Sequence, residues 1–209
     1  MNINSYQIPL PKPGNPRGED VILYKNNVIG VIDGVGGSSI RDGPKWKWKL
    51  CMDVIREFIK KIDTKLYLPF AVSSVIKKID TSLQGTFTCA IIQFNKKYAT
   101  ILVIGDSQLL IVRDNELYYK SKITRDNCNI PSQIGILDRR VIDIFDNDIV
   151  LHNLLLKRDD KIIMYTDGVL DNISIDDILN SNTAKEVCYK SFISGKKKDD
   201  ITCVIVNVK

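Results

Sequence analysis

The sequence contains a single histidine and only five cysteines, which are widely spaced and include no C-x-x-C pair. Structural zinc sites are built from closely spaced cysteine and histidine ligands, so this composition argues against one. The odd cysteine count argues equally against a disulfide framework. We therefore expect free thiols that pack as small apolar side chains, and a reducing, cytoplasmic environment.

Long apolar runs and a strong charge excess are also missing. No run approaches the roughly 18–20 apolar residues that cross a bilayer, and the first residues lack the features of a secretory signal, so we expect no membrane partner. The net charge is only +5, and the basic residues are scattered apart from 45–49 and 196–198. Such short runs are typical of solvated faces and disfavour nucleic-acid binding, while a mildly positive field suits a phosphorylated partner.

Short apolar strands interrupted by helical blocks make up most of the sequence. Because polar hairpin connectors join most strands and no linker is visible, the pattern predicts one domain over 1–209. Its fold class is α+β, with two packed, mainly antiparallel β-sheets flanked by helices and an extended lead-in at 1–17. The predicted helices are 46–62, 70–83 and 183–194. The predicted strands are 20–24, 28–33, 86–94, 98–105, 108–113, 116–121, 139–145, 149–156, 161–166 and 201–208.

One predicted hairpin brings two carboxylates together. Asparagine tolerates left-handed backbone angles, so Asn26-Asn27 makes a plausible two-residue turn. With this turn, Asp20 faces Asp33 and Glu19 faces Gly34. Opposed like charges destabilise a sheet, so such a pair indicates a cation held between the carboxylates. For Glu19 and Asp20 alone, the alternative that they only make a strand end soluble stays open.

Other strand ends also carry acids. Asp33 ends an apolar strand and opens a glycine-rich loop, in which a backbone carbonyl can approach an ion closely. Asp106 and Asp167 each follow an apolar strand, and Asp199 precedes the last one. If the strands next to Asp167 and Asp199 pair in antiparallel fashion, these two carboxylates share a sheet edge. Hard divalent cations prefer oxygen ligands of this kind.

Six short segments stand out in the sequence: GED (18–20), DGVGG (33–37), GTFTCA (85–90), GDS (105–107), TDGVLD (166–171) and DDIT (199–202). Taken together and in this order, they resemble the metal-dependent serine/threonine protein phosphatases of the type 2C (PPM) family. The family fold, a β-sandwich flanked by helices, agrees with the fold predicted above. The resemblance implies a phosphorylated protein as substrate.

The resemblance implies two Mn²⁺ or Mg²⁺ ions and assigns their ligands. Asp33 would bridge both ions, and the Gly34 carbonyl would complete one site. Asp167 and Asp199 would bind the other ion. Between them the ions would activate a water for direct attack on phosphorus, without a covalent intermediate.

Further residues take their implied roles from the same resemblance. Glu19 and Asp20 would act directly or through bound water, and Asp106 matches the position of a third, weaker ion. The family's phosphate-binding arginine usually lies where this chain has Asn15. Arg17 is the candidate for that role, because a guanidinium fork suits phosphate. An exposed loop arginine is an equally good interpretation.

The chain departs from the family pattern at several points. Val35 replaces a histidine that eukaryotic relatives often carry as a proposed general acid, and Gln108 stands where arginine is common. Only 127–136 remains where typical members carry a longer flap, so substrate selection must come from elsewhere or from a partner. We interpret the single histidine, His152, as structural, because it lies in a strand-like apolar run.

Three hypotheses about function follow. The first is a metal-dependent phosphatase acting on phosphoserine and phosphothreonine in proteins. The second is a pseudophosphatase that serves as a metal-binding regulatory interaction module, in keeping with the shifted arginine and the shortened flap. The third is a two-metal hydrolase of small phosphate esters, which would share the same chemistry.

Overall fold

The computed structural model describes residues 1–11, 16–35, 47–96 and 98–209, and within them the chain forms twelve strands and five α-helices. A 3₁₀ turn spans Ile144–Asp146. The helices are α1 (Lys47–Lys61), α2 (Leu68–Ile76), α3 (Asp167–Leu170), α4 (Ile175–Leu179) and α5 (Ala184–Ser194). The strands are β1 (Asn2–Ile8), β2 (Asp20–Lys25), β3 (Val28–Val35), β4 (Gly85–Asn95), β5 (Tyr98–Ile104), β6 (Gln108–Arg113), β7 (Glu116–Lys120), β8 (Ile134–Leu137), β9 (Arg140–Ile142), β10 (Val150–Leu155), β11 (Lys161–Tyr165) and β12 (Ile201–Asn207).

The strands form two sheets, and every named pair among the described residues is antiparallel. The five-stranded sheet has the order β1-β12-β11-β6-β7. The seven-stranded sheet has the order β10-β5-β4-β3-β2, with β8 also paired to β4 and β9 paired to β8. The predicted fold class, two mainly antiparallel sheets flanked by helices, is thus confirmed.

Three apolar layers hold the two sheets and the helices together. Inward-facing residues of both sheets meet in the central layer, which includes Val31, Ile162 and Val204. On the outer face of the seven-stranded sheet, α1 and α2 bury residues such as Phe58. On the outer face of the other sheet, the layer contains residues of α3, α4 and α5. Because side chains alternate along a strand, each strand contributes to two layers at once.

The hairpin between β2 and β3 has the predicted register. Asn26 takes a left-handed φ of 53°, and Lys25 pairs with Val28 across the turn. Asp20 consequently pairs with Asp33 at the other end of the hairpin. The prediction succeeds because turn type and loop length fix the register of a hairpin locally.

Three segments differ from their predictions. The N-terminal lead-in is predicted only to be extended, but residues 2–8 form strand β1, which pairs with β12. The predicted helix over 70–83 ends at Ile76, and the Asp80 side chain then accepts a hydrogen bond from the Ser82 amide in a following turn. The predicted strand over 139–145 is wrong beyond β9, because Asp143 caps the 3₁₀ turn instead.

The five cysteines are free thiols, four of them buried and Cys128 exposed. None of the helices in the described ranges has the length and apolar character that a membrane crossing requires. Asn15, the two later glycines of the DGVGG segment and the side chains of the basic run 45–49 lie outside what the structure describes.

Candidate active site

A cavity of about 300 Å³ opens beside the end of β3, and acidic residues dominate its lining. We call it the acid cavity. Gly34, Val35 and Thr88 complete part of its wall, next to Ile130, Pro131 and Gln133 from the segment 127–136. Of the six acids predicted as metal ligands, five line it: Glu19, Asp33, Asp106, Asp167 and Asp199.

The sixth acid, Asp20, lies directly behind this lining. It is buried and faces Asp33 across the hairpin, and one of its carboxylate oxygens accepts a 2.7 Å hydrogen bond from Thr166 Oγ1. The Thr166 hydroxyl in turn accepts from the backbone N–H of Thr202 at 3.2 Å. This chain of hydrogen bonds links Asp20 to the adjoining sheet and fixes it next to Asp33.

The electrostatics of this pair reflect burial first and crowding of like charges second. Burial, together with the charge of Asp20 and the more distant charges of Asp167, Asp199 and Asp106, raises the pKa of Asp33 well above its ordinary value. Burial also raises the pKa of Asp20 to about 8, and the hydrogen bond from Thr166 offsets only part of that effect. Carboxylates so placed favour either a proton or a bound cation.

Backbone hydrogen bonds position Glu19 at the rim. Its carbonyl accepts from the Gly34 N–H at 3.2 Å, and its own N–H donates to Asp200 Oδ2 at 2.7 Å. The other oxygen of the buried Asp200 accepts from the Leu10 N–H at 2.5 Å. Gly34 is needed here because a Cβ at this position would come within 2.8 Å of Cys51 Sγ. Asp200 is therefore the anchor that holds the Glu19 segment against β12.

The opposite wall is formed where β11 ends and β12 begins. These strands are paired, so Asp167 and Asp199 converge as predicted. The Lys197 Nζ lies between them, 2.7 Å from Asp167 Oδ2 and 3.1 Å from Asp199 Oδ2, and it also contacts Asp171 at 2.7 Å. Burial tends to lower the pKa of Lys197, but the hydrogen bonds to Asp167 and Asp171 raise it well above its usual value.

Sequence reasoning missed Lys197 and Asp171. The run 196–198 is predicted to be a solvated face. Lys197 is exposed in agreement with that prediction, but its ammonium also contacts three carboxylates. The available signal was its position, two residues before a predicted metal ligand. Asp171 lies within the TDGVLD segment but had received no role.

The remaining predicted residues are placed as follows. Asp106 lines the acid cavity, and burial followed by the charge of Asp167 raises its pKa. Arg17 is exposed and borders a different cavity, with Asp20 and Arg56 in its lining. His152 stacks on Tyr119 with ring centroids 5.0 Å apart and does not line the acid cavity.

The donor set fits a hard divalent cation, since it consists of carboxylate and carbonyl oxygens. Within the described ranges, no three acidic, cysteine or histidine side chains are already gathered closely enough to hold a metal ion. One wall nevertheless holds a cation of its own, because the Lys197 ammonium lies between Asp167 and Asp199. This stand-in shows that the two carboxylates accept a positive charge between them.

Comparisons with known proteins agree with this geometry. Residues 53–209 match the family model described as Stage II sporulation protein E (SpoIIE). Protein phosphatase 2C homolog 7, mitochondrial, from Saccharomyces cerevisiae is 27% identical, covering 93% of this chain and 75% of its own length. The 5-azacytidine resistance protein azr1 of Schizosaccharomyces pombe is 28% identical, covering 78% of this chain and 59% of its own length.

Solved structures share the fold over the whole chain. The photosystem II phosphatase PBCP superposes with a TM-score of 0.75 at 20% identity, covering 100% of this chain and 98% of that one. The catalytic domain of the serine/threonine protein phosphatase PstP, solved in complex with two manganese ions, gives a TM-score of 0.74 at 17% identity with the same coverage. At these identities the likeness establishes the fold.

Proposed function

Because the chain belongs to the SpoIIE and type 2C (PPM) family of metal-dependent protein phosphatases, we propose that its acid cavity holds two divalent cations and hydrolyses phosphoserine and phosphothreonine in proteins. The observation that carries the proposal is the gathering of acids from separate segments around one cavity: Glu19, Asp33, Asp106, Asp167 and Asp199. Burial of Asp33, followed by the charges of neighbouring carboxylates, raises its pKa well above the ordinary value. A fold keeps such a cluster at a cost in stability, which bound cations would remove.

The proposed ligands divide between the two walls. Asp33, with Glu19 and the Gly34 carbonyl, would hold one ion, and Asp33 with Asp167 and Asp199 would hold the other. Either Mn²⁺ or Mg²⁺ suits these oxygen donors. When bound, two such ions supply a Lewis acid that lowers the pKa of water and neutralises phosphoryl charge. Asp106 is the proposed ligand of a third, weaker ion.

The chain's own residues orient this chemistry. Asp20, fixed by Thr166, lies behind Asp33, where its ionised form would strengthen the pull on a cation. Val35 carries no titratable group, and His152 is turned toward Tyr119, so neither supplies the leaving-group proton. We infer that water supplies it. Arg17 stays a proposed phosphate ligand, which requires its exposed side chain to move toward the acid cavity.

The test is release of phosphate from phosphoserine and phosphothreonine peptides in Mn²⁺, in Mg²⁺ and in excess chelator. We expect metal-stimulated hydrolysis that Asp33→Asn lowers at least about a hundredfold, because the variant loses a shared ligand. Asp138→Asn is the matched control, since Asp138 is exposed with a left-handed φ of 49° that asparagine tolerates. Wild-type activity in the control and loss in Asp33→Asn would support the proposal.

Parallel measurements separate the other hypotheses. Calorimetric titration with Mn²⁺ reports binding independently of turnover. Metal binding without hydrolysis of any phosphopeptide would identify an interaction module and contradict the proposed activity. Faster hydrolysis of nucleotides or p-nitrophenyl phosphate than of every phosphopeptide would point to a hydrolase of small esters.

A further inference from the structure

Lys197 places a positive charge on the oxygens that the proposed function assigns to an ion. Its Nζ contacts Asp167 and Asp199, which line the acid cavity, and Asp171, which does not. The three distances, from 2.7 to 3.1 Å, are those of charge-assisted hydrogen bonds. The ammonium and a divalent ion therefore require the same two carboxylates.

The backbone of Lys197 is fixed, so its side chain starts from a defined point. The buried side chain of Asn172 accepts from the Lys197 N–H at 2.9 Å and donates to the Lys197 carbonyl at 3.0 Å. The same amide donates to the Gly168 carbonyl at 2.8 Å, which ties the lysine to the segment carrying Asp167. Such double anchoring distinguishes Lys197 from an ordinary surface lysine.

Asp171 is an alternative partner for the Lys197 ammonium outside the acid cavity. It lies one helical turn after Asp167 and its side chain is 44% exposed, against 22% for Asp167. The Lys197 side chain is 43% exposed and has four rotatable carbons. It can therefore leave the two cavity carboxylates while keeping its contact with Asp171.

We propose that Lys197 is a tethered counter-ion that competes with a divalent cation for Asp167 and Asp199 and withdraws to Asp171 when the cation binds. This inference rests on the proposed function, because it takes the acid cavity as a divalent-metal site. In the metal-free protein the ammonium offsets repulsion among three carboxylates. In exchange it weakens metal binding, since two of its contacts must break first. Occupancy of this wall then depends on the metal concentration.

The test compares Mn²⁺ affinity of the full chain by isothermal titration calorimetry. For Lys197→Met, which keeps the apolar stem without the charge, we expect the dissociation constant of one site to fall about tenfold. Lys196→Met is the control, because it removes the same net charge from an exposed position in the same loop. We expect its affinity to stay close to that of the wild type. Lys197→Arg keeps a cation and should also bind Mn²⁺ weakly.

A second readout needs no metal. In excess chelator, Lys197→Met should unfold at a lower temperature than the wild type, because the three carboxylates lose their counter-ion. Added Mn²⁺ should then stabilise the variant more than it stabilises the wild type. Lys197→Gln provides a second uncharged variant if the methionine variant folds poorly.

The outcomes separate the two proposals. Unchanged or weaker Mn²⁺ binding by both uncharged variants, beside measurable binding by the wild type, would overturn the counter-ion role and leave the proposed function intact. Absence of Mn²⁺ binding by the wild type and by every variant would overturn both. If Lys196→Met bound Mn²⁺ as tightly as Lys197→Met, the gain in affinity would be an effect of net charge alone. That result would also overturn the proposal.

Discussion

Strand β11 begins next to a fully buried carboxylate and ends two residues before a half-buried one, and these two carboxylates have opposite environments. At its start, Asp160 is fully buried and receives two 2.8 Å hydrogen bonds from the guanidinium of Arg113, plus one from the Lys157 N–H. At its end, Asp167 faces other acids across the acid cavity. Asp160 thus has a fixed cationic partner, the guanidinium of Arg113, whereas Asp167 has only the flexible side chain of Lys197.

The difference appears in the pKa values. Burial tends to raise the pKa of Asp160, but hydrogen bonds from Arg113 lower it below its usual range. Burial raises the pKa of Asp33 and Asp20, and neighbouring carboxylates raise it further. A carboxylate with a fixed partner serves stability, whereas a carboxylate kept without one is available to a ligand. This contrast distinguishes structural from functional acids across the two sheets.

The largest expected effect comes from breaking the structural end. Arg113→Met should lower the free energy of unfolding by about 3 kcal/mol, because it leaves Asp160 buried without its counter-charge. Urea unfolding measures the loss. Arg158→Met is the control, since Arg158 is 84% exposed in a 4.0 Å pair and should cost little. The folded Arg113→Met protein should keep its phosphatase activity. A large loss of activity would contradict the assignment of Asp160 to stability and of Asp167 to the active site.

The two kinds of carboxylate, those with and those without a fixed cation, should also respond to pH with opposite sign. Asp20 has a pKa of about 8 in the folded chain and about 3.9 when unfolded. Its contribution to stability is therefore complete below pH 4 and is lost as the pH rises through 8. For Asp160, whose folded pKa is lowered, the contribution is present above pH 4 and is lost on acidification.

Melting temperatures in chelator between pH 5 and 9 test this. The wild type should lose stability relative to Asp20→Asn as the pH rises, by roughly 1.4 kcal/mol per pH unit at most. Over the same range the wild type should gain stability relative to Arg113→Met, because burial raises the pKa of Asp160 once its counter-charge is removed. A flat difference between the wild type and Asp20→Asn would contradict the raised pKa of Asp20.

Asp200 offers a smaller and sharper test, because it is a buried acid that accepts from two backbone N–H groups. Asparagine has a single carbonyl oxygen, so Asp200→Asn loses one of the two bonds and should cost about 1–2 kcal/mol. We also expect weaker Mn²⁺ binding, since the lost bond positions Glu19. Unfolding and calorimetric titrations of the same variant measure both. Unchanged metal affinity with reduced stability would limit Asp200 to a structural role.

The smallest effect is expected at His152, which is exposed on β10 and stacks on Tyr119. His152→Ala should change stability by less than about 1 kcal/mol and leave activity unaltered. Phosphopeptide hydrolysis across pH 5 to 9 is the measurement. A loss of activity in His152→Ala would place the histidine in the chemistry and contradict its structural interpretation.

Sequence reasoning succeeded where local rules decide the outcome. The pairing of Asp20 with Asp33 follows from a two-residue turn, and the meeting of Asp167 with Asp199 follows from one pair of strands. It failed where the outcome depends on distant segments. Strand β1 pairs with β12, which is far away in the sequence, and the mostly polar residues 2–8 do not predict this pairing. The place of the Lys197 ammonium likewise depends on how Asn172 holds its backbone.

The position of β12 also bears on when the protein becomes active during its synthesis. This strand follows the other described strands in the sequence, yet it lies inside the five-stranded sheet between β1 and β11. Asp199 lies two residues before it, and Asp200 anchors the segment of Glu19. A growing polypeptide on the ribosome therefore lacks, until β12 emerges, both an inner strand of the sheet and one of the proposed ligands. We expect catalytic competence to arise only after β12 has emerged and paired.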